Sequence, residues 1–131
     1  MTSIAAARRR REELEAALRA HGPGLALARV ISQHSGVWAV AEPRWDGDGA
    51  GDGPLGPPRL VHARGRLRDA AEGPPVTGDW VALDRDDAIV AVLPRRGTVA
   101  RRAAGEGRAG RQVLAANVEL ALVAEPLPEP N

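Results

Sequence analysis

From residue 25 to 93 the apolar side chains recur at every second position in five short runs, each closed by a turn signal. Leu25, Leu27 and Ile31 alternate with Ala26, Ala28, Val30 and Ser32, and Ser35-Gly36 turns the chain into a second run over 37–41. The two runs predict a hairpin with Trp38 and Val40 on one face. A third strand is expected over 59–68, a fourth over 79–84 and a fifth over 88–93, with Arg85-Asp86-Asp87 as the last turn. Between strands two and three, residues 43–58 hold five Gly and four Pro and are expected to form a flexible loop. Leucine and alanine periodicity over 4–20, ended by Gly22-Pro23, predicts an N-terminal helix.

Five short strands leave two exposed edges unless the sheet closes on itself. The expectation is therefore a mainly β chain: a five-stranded barrel of the oligonucleotide/oligosaccharide-binding (OB) type, an N-terminal helix and an orphan C-terminal strand. The segments divide as a helical arm (1–23), the barrel (24–94), a basic linker (95–111) and a C-terminal segment (112–131). Its core must be built from small residues, since 131 positions include no Phe or Tyr and three Trp. Trp38 is expected inside the barrel, and Trp80, out of phase with Val81 and Leu83, on the outer face.

Several chemistries are excluded. Without cysteine there are no disulfides or thiolate metal sites, and His21, His34 and His62 are too scattered to suggest a metal centre, so no metal is expected. No catalytic residue can be named. The G-x-G-x-x-G matches at Gly51-Gly53-Gly56 and Gly105-Gly107-Gly110 lack the strand–helix context of a dinucleotide site. The Asp46–Gly53 run lacks the oxygen ligands of a calcium loop at Ala50 and Pro57. No window is apolar enough for a signal sequence or a membrane span, so a cytoplasmic monomer with no membrane partner is expected.

Charge is distributed unevenly although the net value is only +1. Residues 95–111 carry Arg95, Arg96, Arg101, Arg102, Arg108 and Arg111 against Glu106 alone. If the third strand runs to Arg68, then Arg64, Arg66 and Arg68 project from one face about 6.6 Å apart, close to the spacing of phosphates along a strand. Guanidinium forks grip phosphate bidentately, so these nine arginines are the candidate RNA-binding residues. The plain alternative is a solvated charged face, and the same choice applies to Arg8–Arg11 on the helix. Few aromatics are available for base stacking, which favours phosphate and shape recognition of folded RNA over DNA or sequence reading.

The order of ARVISQHSGVWAV, ARGRLR, VTGDWVALD, AVLPRR and QVLAANVELALV over residues 25–124 resembles the N-terminal half of the ribosome small-subunit-dependent, circularly permuted GTPase family. The resemblance implies an OB barrel docking on small-subunit ribosomal RNA, followed by a GTPase domain beginning near residue 112. It also implies GTP and zinc as cofactors of the full-length family. This chain has no lysine, so it contains neither the P-loop lysine nor the N-K-x-D specificity motif, and no cofactor is expected in it. An excised fragment or a truncated product is expected, with Val118, Leu120 and Leu122 lacking a parallel sheet and prone to fray. Two alternatives stay open: an inactive GTPase portion that needs other domains, and a barrel for protein contacts.

Overall fold

The structure, a computed structural model, describes residues 4–44, 55–68, 73–102 and 111–117. Helix α1 spans Ile4–Ala20. The strands are β1 (Ala26–His34), β2 (Val37–Ala41), β3 (Arg59–Ala63), β4 (Trp80–Leu83), β5 (Ala88–Val92), β6 (Thr98–Arg102) and β7 (Arg111–Ala116). A single helical turn, α2 (Gly65–Arg68), follows β3. Strands β1 to β5 close into a barrel in the order β1-β2-β3-β5-β4, antiparallel everywhere except at the β3–β5 seam. This is the OB-type barrel anticipated from the strand count.

Local sequence explains the hairpin. Ser35 and Gly36 take φ values of 37° and 84°, the left-handed pair that matches the twist of a two-residue turn. Inside the barrel, Val30, Trp38, Val40, Val61, Val81, Leu83 and Ile89 pack with Ala28 and Ala63. Trp38 satisfies its polar edge by donating from Nε1 to the Pro75 carbonyl at 2.8 Å. A bulge in β1 between Val30 and Ser32 lets that strand wrap around the barrel.

The outer layer is where helix α1 belongs. Leu14, Leu27, Trp80 and Leu93 form a second buried cluster, with Ala17 and Leu18 packed against it. Trp80 does sit on the outer side of β4, but α1 and Leu93 cover it to 1% exposure. It is a packing residue, not an open stacking surface. Burying Leu14 completely supplies roughly 2 kcal/mol toward holding the helix against the barrel.

Two expectations change. Strand β3 ends at Ala63, not Arg68. Arg64 N makes a last hydrogen bond to Ile89 O at 2.9 Å, and Leu67 N then turns back to Arg64 O at 2.9 Å. Leu67 is thereby drawn against the barrel core, which outweighs continuing an exposed edge of arginines. The phosphate-spaced ladder of Arg64, Arg66 and Arg68 on one strand face therefore does not exist. The second change lies in the stretch read as a basic linker, where β6 pairs antiparallel with β7. This small sheet leans on the barrel through a parallel bridge between Thr77 and Ala115 and a 3.0 Å bond from Ala116 N to Thr77 O. Residues 111–116 are thus paired, while Val118, Leu120 and Leu122 lie outside the described residues.

The loop over 43–58 is closed at its ends: Pro43 bridges Leu55, and Gly56 N donates to Glu42 O at 2.8 Å. Its middle, including Trp45, lies outside the described residues, as do both glycine triplets except Gly56. At the parallel seam, Arg59 pairs with Glu42 and Asp87, each at 3.0 Å. Across the other end of the seam, Arg64 binds Asp84, with Nε to Oδ2 at 3.1 Å.

Asp84 also accepts backbone hydrogen bonds from Asp86 (2.8 Å) and Ala88 (3.0 Å), which shape the turn into β5. The bond from Arg64 and then that from Ala88 hold its carboxyl below the usual carboxylate value of 3.8. A carboxylate more acidic in the folded state stabilises the fold above its unfolded value, and loses that contribution as pH falls through the folded one. Acid titration followed by circular dichroism should therefore show stability falling below pH 4, and Asp84→Asn should flatten that limb. An unchanged acid limb in Asp84→Asn would place the acid sensitivity elsewhere.

Candidate functional site

The arginines singled out by charge take different roles once the fold is formed. Arg95 leaves β5 and turns inward, donating from Nε to Asp79 Oδ1 at 2.8 Å and from Nη2 to Oδ2 at 2.9 Å. Asp79 is fully buried and also accepts from Val76 N at 2.8 Å. Gly-Asp at 78–79 is therefore a structural corner: Asp79 orders the chain before β4 and fastens the exit from β5. Arg95, with 13% of its side chain exposed, acts first on folding.

Beside this pair, Asn117 joins four parts of the chain. Its Oδ1 accepts from Arg10 Nη2 on α1 and from Arg96 N, both at 2.8 Å, and its Nδ2 donates to Gly78 O at 2.8 Å. Asn117 N donates to Gly97 O at 2.8 Å, and its carbonyl accepts from Arg29 Nη2 at 3.2 Å. The residue is 8% exposed at φ 56°, a conformation asparagine tolerates better than most residues. Arg29 also donates to Gly78 O at 3.1 Å, and its guanidinium carbon sits 5.3 Å from the centre of the Trp80 ring. Helix, barrel and second sheet are fastened at one buried polar junction. Sequence reasoning missed it. Its only signals were a glycine before Asp79 and an asparagine after β7, both common in loops.

Arg64, Arg66 and Arg96 lie outward. Arg64 is 48% exposed and shares Asp84 and Asp86 as partners. Arg66 on α2 is exposed and makes no side-chain hydrogen bond to another described residue. Arg96 is 58% exposed and grips Glu13 of α1 with both carboxylate oxygens, at 2.9 and 3.0 Å. In the second sheet the backbone places Arg102 opposite Arg111 and Arg101 opposite Gln112. The backbone of Arg68 ends α2. Arg108 lies outside the described residues. The structure thus divides the candidates between a barrel-end group at Arg64 and Arg66 and a second-sheet group, with Arg95 in the interior. Among the described residues no group of three or more His, Asp or Glu side chains is placed to hold a metal ion. Nor does any helix among them have the length and apolarity to cross a membrane.

No protein-family model matches the chain. Over 96 residues, 73% of its length, the chain is 40% identical to the small ribosomal subunit biogenesis GTPase RsgA of Xylella fastidiosa strain M23. The same identity holds for the RsgA proteins of strains Temecula1 and 9a5c. The crystal structure of YjeQ from Thermotoga maritima aligns over 57% of this chain and 24% of that one, at 23% identity and a TM-score of 0.41. The chain covers 26% of the M23 protein and 25% of the other two. It is similar to the small ribosomal subunit biogenesis GTPases over most of its length, and spans about a quarter of the length of those it matches.

Proposed function

We propose that this chain is an RNA-docking barrel that engages the small ribosomal subunit through phosphate contacts and does not itself turn over GTP. The observation that carries the reading is the 40% identity, over most of the chain, to proteins named for small-subunit biogenesis. Physical support comes from the outward arginines. Arg66 presents an exposed guanidinium, and Arg64 and Arg96 hold carboxylates at the surface that a phosphate can replace at little cost. Arg101, Arg102 and Arg111 extend the positive charge along the second sheet, with Arg68 and Arg108 completing the set. Arg95 contributes by keeping the corner folded. A chain without lysine has no P-loop, so GTP chemistry would have to come from elsewhere.

Measuring affinity for small subunits against salt tests the arginine assignment. Each phosphate contact releases counterions, so replacing Arg66 by Ala should weaken binding and lower the log–log salt slope by about one. An Arg66→Ala, Arg96→Ala pair should lower it by about two. A slope unchanged in both variants would remove these arginines from the interface.

A further inference from the structure

We infer that Arg10 and Arg96 form a gated phosphate site where α1 meets the second sheet, that a phosphodiester of bound RNA occupies it, and that the Glu13 carboxylate holds the phosphate's place until then. This deepens the docking reading above and rests on it. Glu13 Oε1 and Oε2 accept from Arg96 Nη2 at 2.9 and 3.0 Å, and Oε1 lies 3.6 Å from Arg10 Nη1. Two guanidiniums from distant parts of the chain thus converge on one carboxylate. The buried Asn117 fixes their spacing: its Oδ1 accepts from Arg10 Nη2 and from the Arg96 backbone N, both at 2.8 Å. Arg10, with 12% of its side chain exposed, is held in place, whereas the Glu13 and Arg96 side chains are 48% and 58% exposed. An incoming anion reaches the carboxylate directly from solvent.

Three properties make Glu13 a gate and phosphate its competitor. Helix α1 is anchored without Glu13, through Leu14 in its buried cluster and through the bond from Arg10 to Asn117. The Glu13 side chain can therefore rotate away while the helix stays docked, since an exposed ion pair costs little to break. The two guanidiniums already hold an oxyanion of charge −1. A phosphodiester carries the same charge, and its tetrahedral oxygens can accept from both forks at once, so the exchange keeps the charge balance and adds hydrogen bonds. Pro94 and Gly97, on either side of the Arg95-Arg96 pair, are exposed, uncharged and compact, so they neither repel nor block a phosphate approaching Arg96. With Glu13 in place, phosphate must displace a competitor of its own sign, and affinity is held down.

The test measures binding of the full chain to purified small subunits for E13Q, R96A, E13Q/R96A and R10Q, with E12Q as control and thermal melts to check folding. E13Q should tighten binding by about three- to fivefold, the strength of an exposed ion pair. The gain should vanish in the R96A background, because Glu13 then has no guanidinium to guard. Glu12 is exposed one residue away on the same helix, so E12Q reports the general effect of removing a negative charge and should gain less. R10Q should lower the log–log salt slope by about one, which a purely structural role for Arg10 would not do. The E13Q cycle alters only exposed side chains and stands even if R10Q unfolds. Wild-type affinity in E13Q, or an equal gain in E12Q, would overturn the gate, and R66A still lowering the slope would leave arginine docking standing. No binding of the wild-type chain or of E13Q to subunits would overturn both. A second arm titrates E13Q with inorganic phosphate and follows the Nε–H signals of Arg10 and Arg96 by NMR. Saturation of those signals by phosphate alone, with no gain on subunits, would assign the site to free phosphate and overturn the inference.

Discussion

Arg95→Ala is expected to be the most damaging single substitution of a charged residue in the barrel. It leaves the fully buried Asp79 carboxylate with Val76 N but without its guanidinium. Removing one partner of a buried pair costs about 3–5 kcal/mol, since the remaining charge is neither solvated nor neutralised. A whole domain is stable by only about 5–15 kcal/mol, and small cores such as this one lie toward the lower end. Urea denaturation followed by tryptophan fluorescence should show the midpoint collapsing, with a drop in Tm on the order of 15 °C or more. The pair Asp79→Leu, Arg95→Met should recover much of the loss, because it removes both charges together. A loss below about 1 kcal/mol in Arg95→Ala would mean the pair is solvated and the corner is held by something else. Any ribosome-binding defect of an Arg95 variant is therefore expected to reflect unfolding rather than a lost phosphate contact.

Gly78→Ala should have a comparable effect by a steric route. A Cβ built at Gly78 falls 2.1 Å from the Ala116 carbonyl oxygen, a backbone atom that cannot swing away. The residue also sits at φ 93°, which an L side chain rarely adopts. Backbone strain and overpacking together predict a loss of about 2–4 kcal/mol. The damage should be local. Strand β7 must retreat from Thr77, breaking the 3.0 Å bond from Ala116 N and the 2.8 Å bond from Asn117 Nδ2 to Gly78 O. Hydrogen exchange should show the amides of β6 and β7 losing protection first, while Val40, Val81 and Ile89 in the barrel stay protected. Uniform loss across both sheets would show that they unfold as one unit, and unchanged exchange would contradict the close packing at Gly78.

The barrel was legible because each strand announces itself locally. Period-two alternation, a Ser-Gly turn and an Arg-Asp-Asp turn are short-range signals, and closure follows from the cost of leaving two bare edges. Helix α1 was legible from its leucine spacing and its Gly-Pro stop, although its docking site over Trp80 depends on distant contacts with Leu27 and Leu93. The third strand was misread at its end, where alternation continues in the sequence past Ala63. Burial of Leu67 against the core turns the chain there, and no local pattern encodes that contact. The second sheet was hidden for a related reason. Strand β6, Thr98–Arg102, has two apolar residues in five, and its pairing with β7 is set by tertiary position rather than propensity.

For the candidate site, charge counting gathered the arginines but could not show how the fold divides them. Arg64, Arg66, Arg95 and Arg96 are alike in sequence. Only the fold sends Arg95 inward to Asp79, pairs Arg64 and Arg96 with surface carboxylates, and leaves Arg66 on an exposed turn. The Asn117 junction was illegible because it joins Asn117 to Arg10, 107 positions earlier in the chain.

The proposed recognition of the small ribosomal subunit by this barrel is tested most directly by co-sedimentation of the chain with purified small subunits and, separately, with large subunits at the same physiological salt. Saturable binding to the small subunit, with little to the large one, is the expected result. Equal binding to both, or none to either, would contradict it.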